Sequence, residues 1–127
     1  MKDLITSTRN QLIGSSACNL KNCLCLQMAR EMFPDLVGHT GLDSVKAFTV
    51  YYDAESENHD TDLATHFDNA EVTLNIPLGE EAGQEEGELY FLGSGGRVMP
   101  VEHQRGRGVL HSGRALHGAM PLRAGNR

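Results

Sequence analysis

The chain has 127 residues and a formal net charge of −6, enough length for one hydrophobic core but not two. The acidic balance argues against a nucleic-acid-binding surface, no run reaches the ~18 apolar residues that a spanning helix needs, and residues 1 to 30 lack an apolar stretch behind a basic start. Fourteen glycines, few aromatics and no Trp suit a β-rich chain with many turns.

From Met1 to about Asp35 the pattern is helical. Leu24, Leu26, Met28 and Met32, with Ala29 and Phe33, give an apolar stripe, and Phe33-Pro34-Asp35 ends it because the residue before Pro is pushed out of the helical region. Asp3 to Ile13 is more ambiguous and reads as a helix against one outer face of a barrel. Cys18, Cys23 and Cys25 match neither a disulfide framework nor a paired Cys-x-x-Cys zinc site. They read as reduced structural thiols, which implies a reducing, intracellular and cytoplasmic setting. Val37 to Leu42 is a linker, so residues 1–43 form an N-terminal helical segment and 44–127 a β domain.

Short strands then follow one another. Val45 to Tyr52 is the first, and Asp53 to Asp62 an acidic loop. Leu63 to Phe67 comes next, Glu71 to Leu78 is the return, and Gly79 to Gly87 a flexible acidic connection. Glu88 to Leu92, Arg97 to His103, Arg107 to His111 and Leu116 to Leu122 complete the regular part. Arg123-Ala124-Gly125 is a tight turn, and Asn126-Arg127 starts an eighth strand. Eight strands in two facing sheets make a double-stranded β-helix, a jelly-roll barrel whose mouth commonly holds a ligand.

The chemistry concentrates around Thr65-His66-Phe67-Asp68-Asn69. Residues two apart on a strand share a face, so His66 and Asp68 project an imidazole and a carboxylate into one space while Phe67 turns away. One further His from a distant strand completes a two-His-one-carboxylate triad, which leaves part of an octahedral Fe(II) open for substrate and oxygen. His117 is the candidate, with His111 six residues earlier as its rival. If Arg127 pairs opposite Pro121 it shares the face of His117 at roughly 13 Å, taking about 3.3 Å per residue. An extended Arg side chain and a five-carbon diacid on the metal would span that gap, the guanidinium holding the far carboxylate bidentately. His111 lacks such an Arg and reads as a pocket-lining or hydrogen-bonding residue. His39, His59 and His103 fall in loops or strand ends and read as exposed. Gly93-Ser94-Gly95-Gly96 lacks the Lys and helix of a phosphate loop and reads as a turn.

The ordered set of His66-x-Asp68, Gly87-Glu88-Leu89-Tyr90-Phe91, His117-Gly118 and Arg127 resembles the 2-oxoglutarate- and Fe(II)-dependent oxygenases, in the branch with the prolyl and lysyl hydroxylases. The segments Thr65 to Asn75 and Gly108 to Ala119 resemble, more narrowly, the oxygenase domain-containing proteins of that superfamily. The likeness spans about residues 44 to 127, with Glu86 standing where the family carries a first Gly. It implies a dioxygenase that hydroxylates a C–H bond, releases succinate and CO2, and uses L-ascorbate to keep its iron reduced. His66, Asp68 and His117 would bind Fe(II). Arg127, Tyr52 and Asn75 would bind 2-oxoglutarate, with the inward member of the Tyr51-Tyr52 pair left to parity. In the family the Arg opens the eighth strand, so a chain stopping there is expected to have a truncated last strand and weakened co-substrate binding. Two other readings stand beside the enzyme: a catalytically impaired metal-binding or interaction barrel, and a cupin-like metal protein indifferent to Arg127. The primary substrate is not encoded in any motif.

Overall fold

The computed structural model describes residues 24–39, 44–55, 57, 60–78, 85–102 and 104–125. Expectations for Asp3 to Ile13, Cys18, Cys23, His59, His103, Asn126 and Arg127 therefore lie outside the described residues. The chain divides into two compact units, Met1–Val50 and Tyr51–Arg127.

In the first unit, α1 (Leu24–Met32) and α2 (Pro34–Val37) follow each other directly. The buried positions are Leu26, Ala29 and Val37, with Phe33 half-buried. The spacing of three places Leu26 and Ala29 on one face of α1, while Val37 closes α2. That corrects the expected stripe, because Leu24, Met28 and Met32 lie on the exposed side. Pro34 does interrupt the helix where expected, yet it opens a second one. Its missing N–H costs nothing in a first turn, and the amide of Gly38 closes that turn on the Pro34 carbonyl at 3.1 Å. Cys25 is exposed on α1, and His39 is exposed just after α2.

Ser44 to Tyr52 adopt no regular secondary structure, and Val45, Phe48 and Val50 are exposed. The strand expected over Val45 to Tyr52 is not formed. β-propensity describes how side chains fit a paired, half-buried surface, and no described strand pairs with this segment. Pairing begins only with Asp53 and with Ala54, whose N–H donates to the Gly125 carbonyl at 3.0 Å.

The second unit is antiparallel throughout. Its strands are β1 (Leu63–His66), β2 (Val72–Asn75), β3 (Glu85–Glu86), β4 (Leu89–Leu92), β5 (Val98–Val101), β6 (Val109–Ser112), β7 (His117–Ala119) and β8 (Leu122–Ala124). One sheet has the order β1-β7-β4-β5, while β2 pairs with β6 and β3 with β8. The β4–β5 hairpin turns through Gly93 to Gly96, where Gly95 and Gly96 have φ of 74° and 77°. The glycine cluster is thus a turn, as its composition suggests. Mainly β structure with a short helical lead-in agrees with the expectation.

The strands are mostly shorter than expected, the return over Glu71 to Leu78 being only Val72–Asn75, and two further differences stand out. The run Leu116 to Leu122 is not one strand but two, β7 and β8, separated at Pro121, which has no N–H for a ladder. On either side of the break, Met120 donates to Glu88 and Leu122 to Thr61, each at 2.9 Å. Arg123 and Ala124 consequently lie in β8 rather than in a turn, and Gly125, at φ 74°, makes the bend alone. The acidic connection also contains an element, since Glu85–Glu86 forms the short β3.

Apart from glycines, the buried residues among those described in this unit are Tyr52, Leu89, Ala119 and Leu122, together with His111 and His117. Two imidazoles thus sit among the most enclosed side chains of the unit. Among the described residues, no helix is long and apolar enough to cross a membrane.

Candidate metal centre

β7 is the strand on which the site is built. All three of its residues, His117, Gly118 and Ala119, are buried, and it is hydrogen-bonded on both sides, to β1 and to β4. His66 stands opposite His117 on one side and Phe91 on the other. Gly118 turns the other way, where a Cβ would come within 2.5 Å of the Tyr90 hydroxyl and 2.6 Å of the Leu63 carbonyl oxygen. The Tyr90 hydroxyl lies 2.6 Å from that of Thr65. The row Thr65-Gly118-Tyr90 thus backs the row His66-His117-Phe91, and only Gly lets Tyr90 cross the middle strand.

The register of β1 carries an irregularity. Leu63 pairs with Ala119 but His66 pairs with His117, so three steps on one strand match two on the other. This is a β-bulge, and its extra residue puts His66 on the His117 face despite the odd count. Past β1 the alternation holds, with Phe67 exposed and Asp68 turned back. Asp68 is tied to the β6–β7 turn by two main-chain bonds, from Asp68 to the Gly113 carbonyl at 2.9 Å and from Gly113 to the Glu71 carbonyl at 3.0 Å. Gly113 permits this approach, because a Cβ there would overlap the Ala70 carbonyl.

These elements bring His66, Asp68 and His117 together, with ligand atoms all within 4.8 Å of one another. His66 Nε2 lies 3.4 Å from Asp68 Oδ1, and His117 Nε2 lies 3.6 Å from Asp68 Oδ2. The two rings are 4.4 Å apart between centroids. Neighbouring ligands about 2.1 Å from an octahedral ion stand roughly 3 Å apart, so each of these two nitrogen–oxygen contacts, made to different oxygens of Asp68, is a little wider than a metal would make it. The imidazoles are also in the right form. His66 Nδ1 donates to the Ala64 carbonyl at 2.8 Å and His117 Nδ1 to the Ala115 carbonyl at 2.9 Å. In a neutral imidazole held this way Nε2 keeps its lone pair, here on the side of Asp68, which is how a metal-ligating His is commonly held. Two neutral imidazole nitrogens and one carboxylate fit a divalent first-row metal.

His111 is at the same place in a different role. Its Nδ1 donates to the Ser112 carbonyl at 2.9 Å, and its Nε2 accepts from Asn75 Nδ2 at 3.1 Å. That nitrogen is 3.9 Å from Asp68 Oδ2. With its lone pair engaged by an amide, His111 is a hydrogen-bonded neighbour of the cluster. Burial pushes its imidazole below the ordinary histidine value and the adjacent His117 adds to this, against the opposing pull of the Ser112 carbonyl and of Asp68. Phe91 packs on both rings, with centroids 5.0 Å from His111 and 5.6 Å from His117.

Among the residues expected to hold a co-substrate, Asn75 reaches the site through His111. Tyr52 is buried and Tyr51 exposed. The geometry also supplies a residue that pattern reading missed. Thr73 Oγ1 donates to Asp68 Oδ2 at 2.6 Å. Its signal was available, because Thr73 stands two before Asn75 and so shares its face.

No family model matches the chain. Among curated proteins it is 44% identical over 104 residues to the 2-oxoglutarate and iron-dependent oxygenase domain-containing protein 2 of Xenopus tropicalis, across 76% of this chain and 28% of that protein. The Homo sapiens protein of the same name is 43% identical over 102 residues, across 76% of this chain and 27% of its own length. The Arabidopsis thaliana protein named 2-oxoglutarate and iron-dependent oxygenase domain-containing protein ICU11 is 35% identical over 111 residues, 79% of this chain and 26% of its own. The aligned stretch is therefore between a quarter and a third of these relatives' length. Over that shared stretch the chain belongs to the family of 2-oxoglutarate and iron-dependent oxygenase domain-containing proteins, as its His-x-Asp and His-Gly motifs suggested.

Proposed function

We propose that this chain carries the metal centre of an Fe(II)- and 2-oxoglutarate-dependent dioxygenase, with His66, Asp68 and His117 as the iron ligands. The convergence of the three on one point, from β7, the end of β1 and the turn after it, is the observation that carries this function. The antiparallel sheets are consistent with a double-stranded β-helix, whose mouth is a usual place for such a centre. When bound, Fe(II) with 2-oxoglutarate and O2 supplies the oxidising chemistry that hydroxylates a C–H bond while the keto acid leaves as succinate and CO2.

The protein residues do the holding. The carbonyls of Ala64 and Ala115 fix the imidazole tautomers, and Phe91 walls off one side of the rings. The amide of Asn75 gives one N–H to His111 and keeps its oxygen and second N–H for a bound diacid. The Tyr52 phenol is assigned a hydrogen bond to the same diacid, and the Arg127 guanidinium a bidentate grip on its far carboxylate. L-Ascorbate is the reductant expected to sustain turnover.

Anaerobic titration with Fe(II) and then 2-oxoglutarate tests this assignment. A weak visible charge-transfer band should develop, be lost in His117→Ala, and require higher 2-oxoglutarate in Arg127→Ala. Admitting O2 should release succinate. Metal uptake without succinate, from a band that ignores Arg127, would instead support a non-catalytic metal-binding barrel.

A further inference from the structure

The carboxylate of Asp68 is the least secured of the three donors. His66 and His117 lie in hydrogen-bonded strands, and each ring is anchored again through Nδ1. Asp68 follows β1, on a segment joined to the β6–β7 turn by main-chain bonds alone, and these leave its side chain free to rotate. What fixes that rotation is a hydroxyl from another strand. Thr73 lies in β2, which pairs with β6 in four consecutive positions from Val72↔Ser112 to Asn75↔Val109. It stands directly opposite His111 there, and its Oγ1 is 2.6 Å from Asp68 Oδ2. An O–H donated to an ionised carboxylate at this length is of the strong, charge-assisted kind.

We infer that Thr73 is a positioning residue for the metal centre: its hydroxyl takes Oδ2 of Asp68 and so presents Oδ1, the oxygen nearer His66, as a single-oxygen ligand. With Oδ2 engaged by Thr73, Asp68 would offer a divalent metal its other oxygen. Partners of this kind, one bond removed from the ion, set metal affinity by orienting the groups that touch it. The inference rests on the assignment of Asp68 as a ligand and extends it.

Mn(II) serves as a redox-silent probe, with affinity read by titration and by its electron paramagnetic resonance signal. Thr73→Val keeps the shape and removes the donor, and Mn(II) binding should weaken by about 10- to 100-fold. Thr73→Ser keeps the donor and should stay within about threefold of wild type. Since Thr73 acts through Asp68, adding Thr73→Val to Asp68→Ala should cause no further loss, the signature of a coupled pair. Should the valine variant fail to fold, Thr73→Ala removes the same hydroxyl and carries the same expectation. Wild-type affinity in a folded hydroxyl-free variant, or an equal loss with and without Asp68, overturns the role of Thr73 alone. Unchanged binding in Asp68→Ala overturns the metal assignment as well.

Discussion

Each of the three clustered imidazoles donates from Nδ1 to a main-chain oxygen, yet only two keep Nε2 open toward Asp68. That difference separates His117 from His111, a pair between which the spacing to Arg127 favoured His117. His117→Ala should lower Mn(II) affinity by at least about 100-fold, whereas His111→Ala should leave a site weakened by about tenfold, as loss of an outer partner does. Equal losses would show that His111 is also a ligand. Gly118 offers a stability measurement on the other side of the same strand. Gly118→Ala forces a methyl against the Tyr90 hydroxyl and the Leu63 carbonyl, and should cost on the order of 1–3 kcal/mol in denaturant unfolding. Tyr90→Phe should recover part of that cost, because it removes the nearest of three obstructing atoms and leaves the Leu63 carbonyl oxygen and the ring carbon Cζ. Strand alternation made His66 and Asp68 legible in the sequence, since Phe67 between them faces solvent. The bulge in β1 was not legible, because it is a mismatch between two strands and leaves no mark in either one.

At the scale of elements, local residues foretold the turns better than the strands. Gly95 and Gly96 bend the β4–β5 hairpin where composition placed a turn, because positive φ is a property of the residue itself. Strand extent depends on a partner strand, so the aromatic run Val45 to Tyr52 read as a strand and forms none, while the polar pair Glu85–Glu86 read as loop and is paired with β8. Pro121 divides β7 from β8 for a local reason, but its effect shows only once Leu122 is seen to pair elsewhere. The β6–β7 turn makes an equally specific demand. A side chain at Gly113 would run into the Ala70 main chain rather than a movable side chain. Gly113→Ala should therefore shift the segment carrying Asp68, destabilise the fold by about 3 kcal/mol or more, and reduce metal binding with it. A variant that melts like wild type would show that this turn yields readily.

Taken whole, the described molecule has a polar, acidic composition but an apolar outer flank. Leu74, Ile76 and Leu78 recur at every second position and are exposed, while Thr73 and Asn75 on either side of Leu74 serve the site. β2 itself thus has two employed faces, and the exposed apolar row continues past its end at Asn75 through Ile76 and Leu78. Changing Ile76→Thr and Leu78→Glu together should reduce concentration-dependent association in light scattering and leave Mn(II) affinity within about twofold. A large loss of affinity would mean that this flank supports the centre. The site itself is unevenly mounted. Its two imidazoles are held in register across a strand gripped from both edges, whereas its carboxylate rides on a short arm latched by a glycine turn and one hydroxyl. An incoming cation would thus meet a socket already two-thirds cast, and the remaining third would be drawn shut around it. Hydrogen exchange should record that division as slow amides along β7 and a faster one at Asp68, slowed when Mn(II) is added.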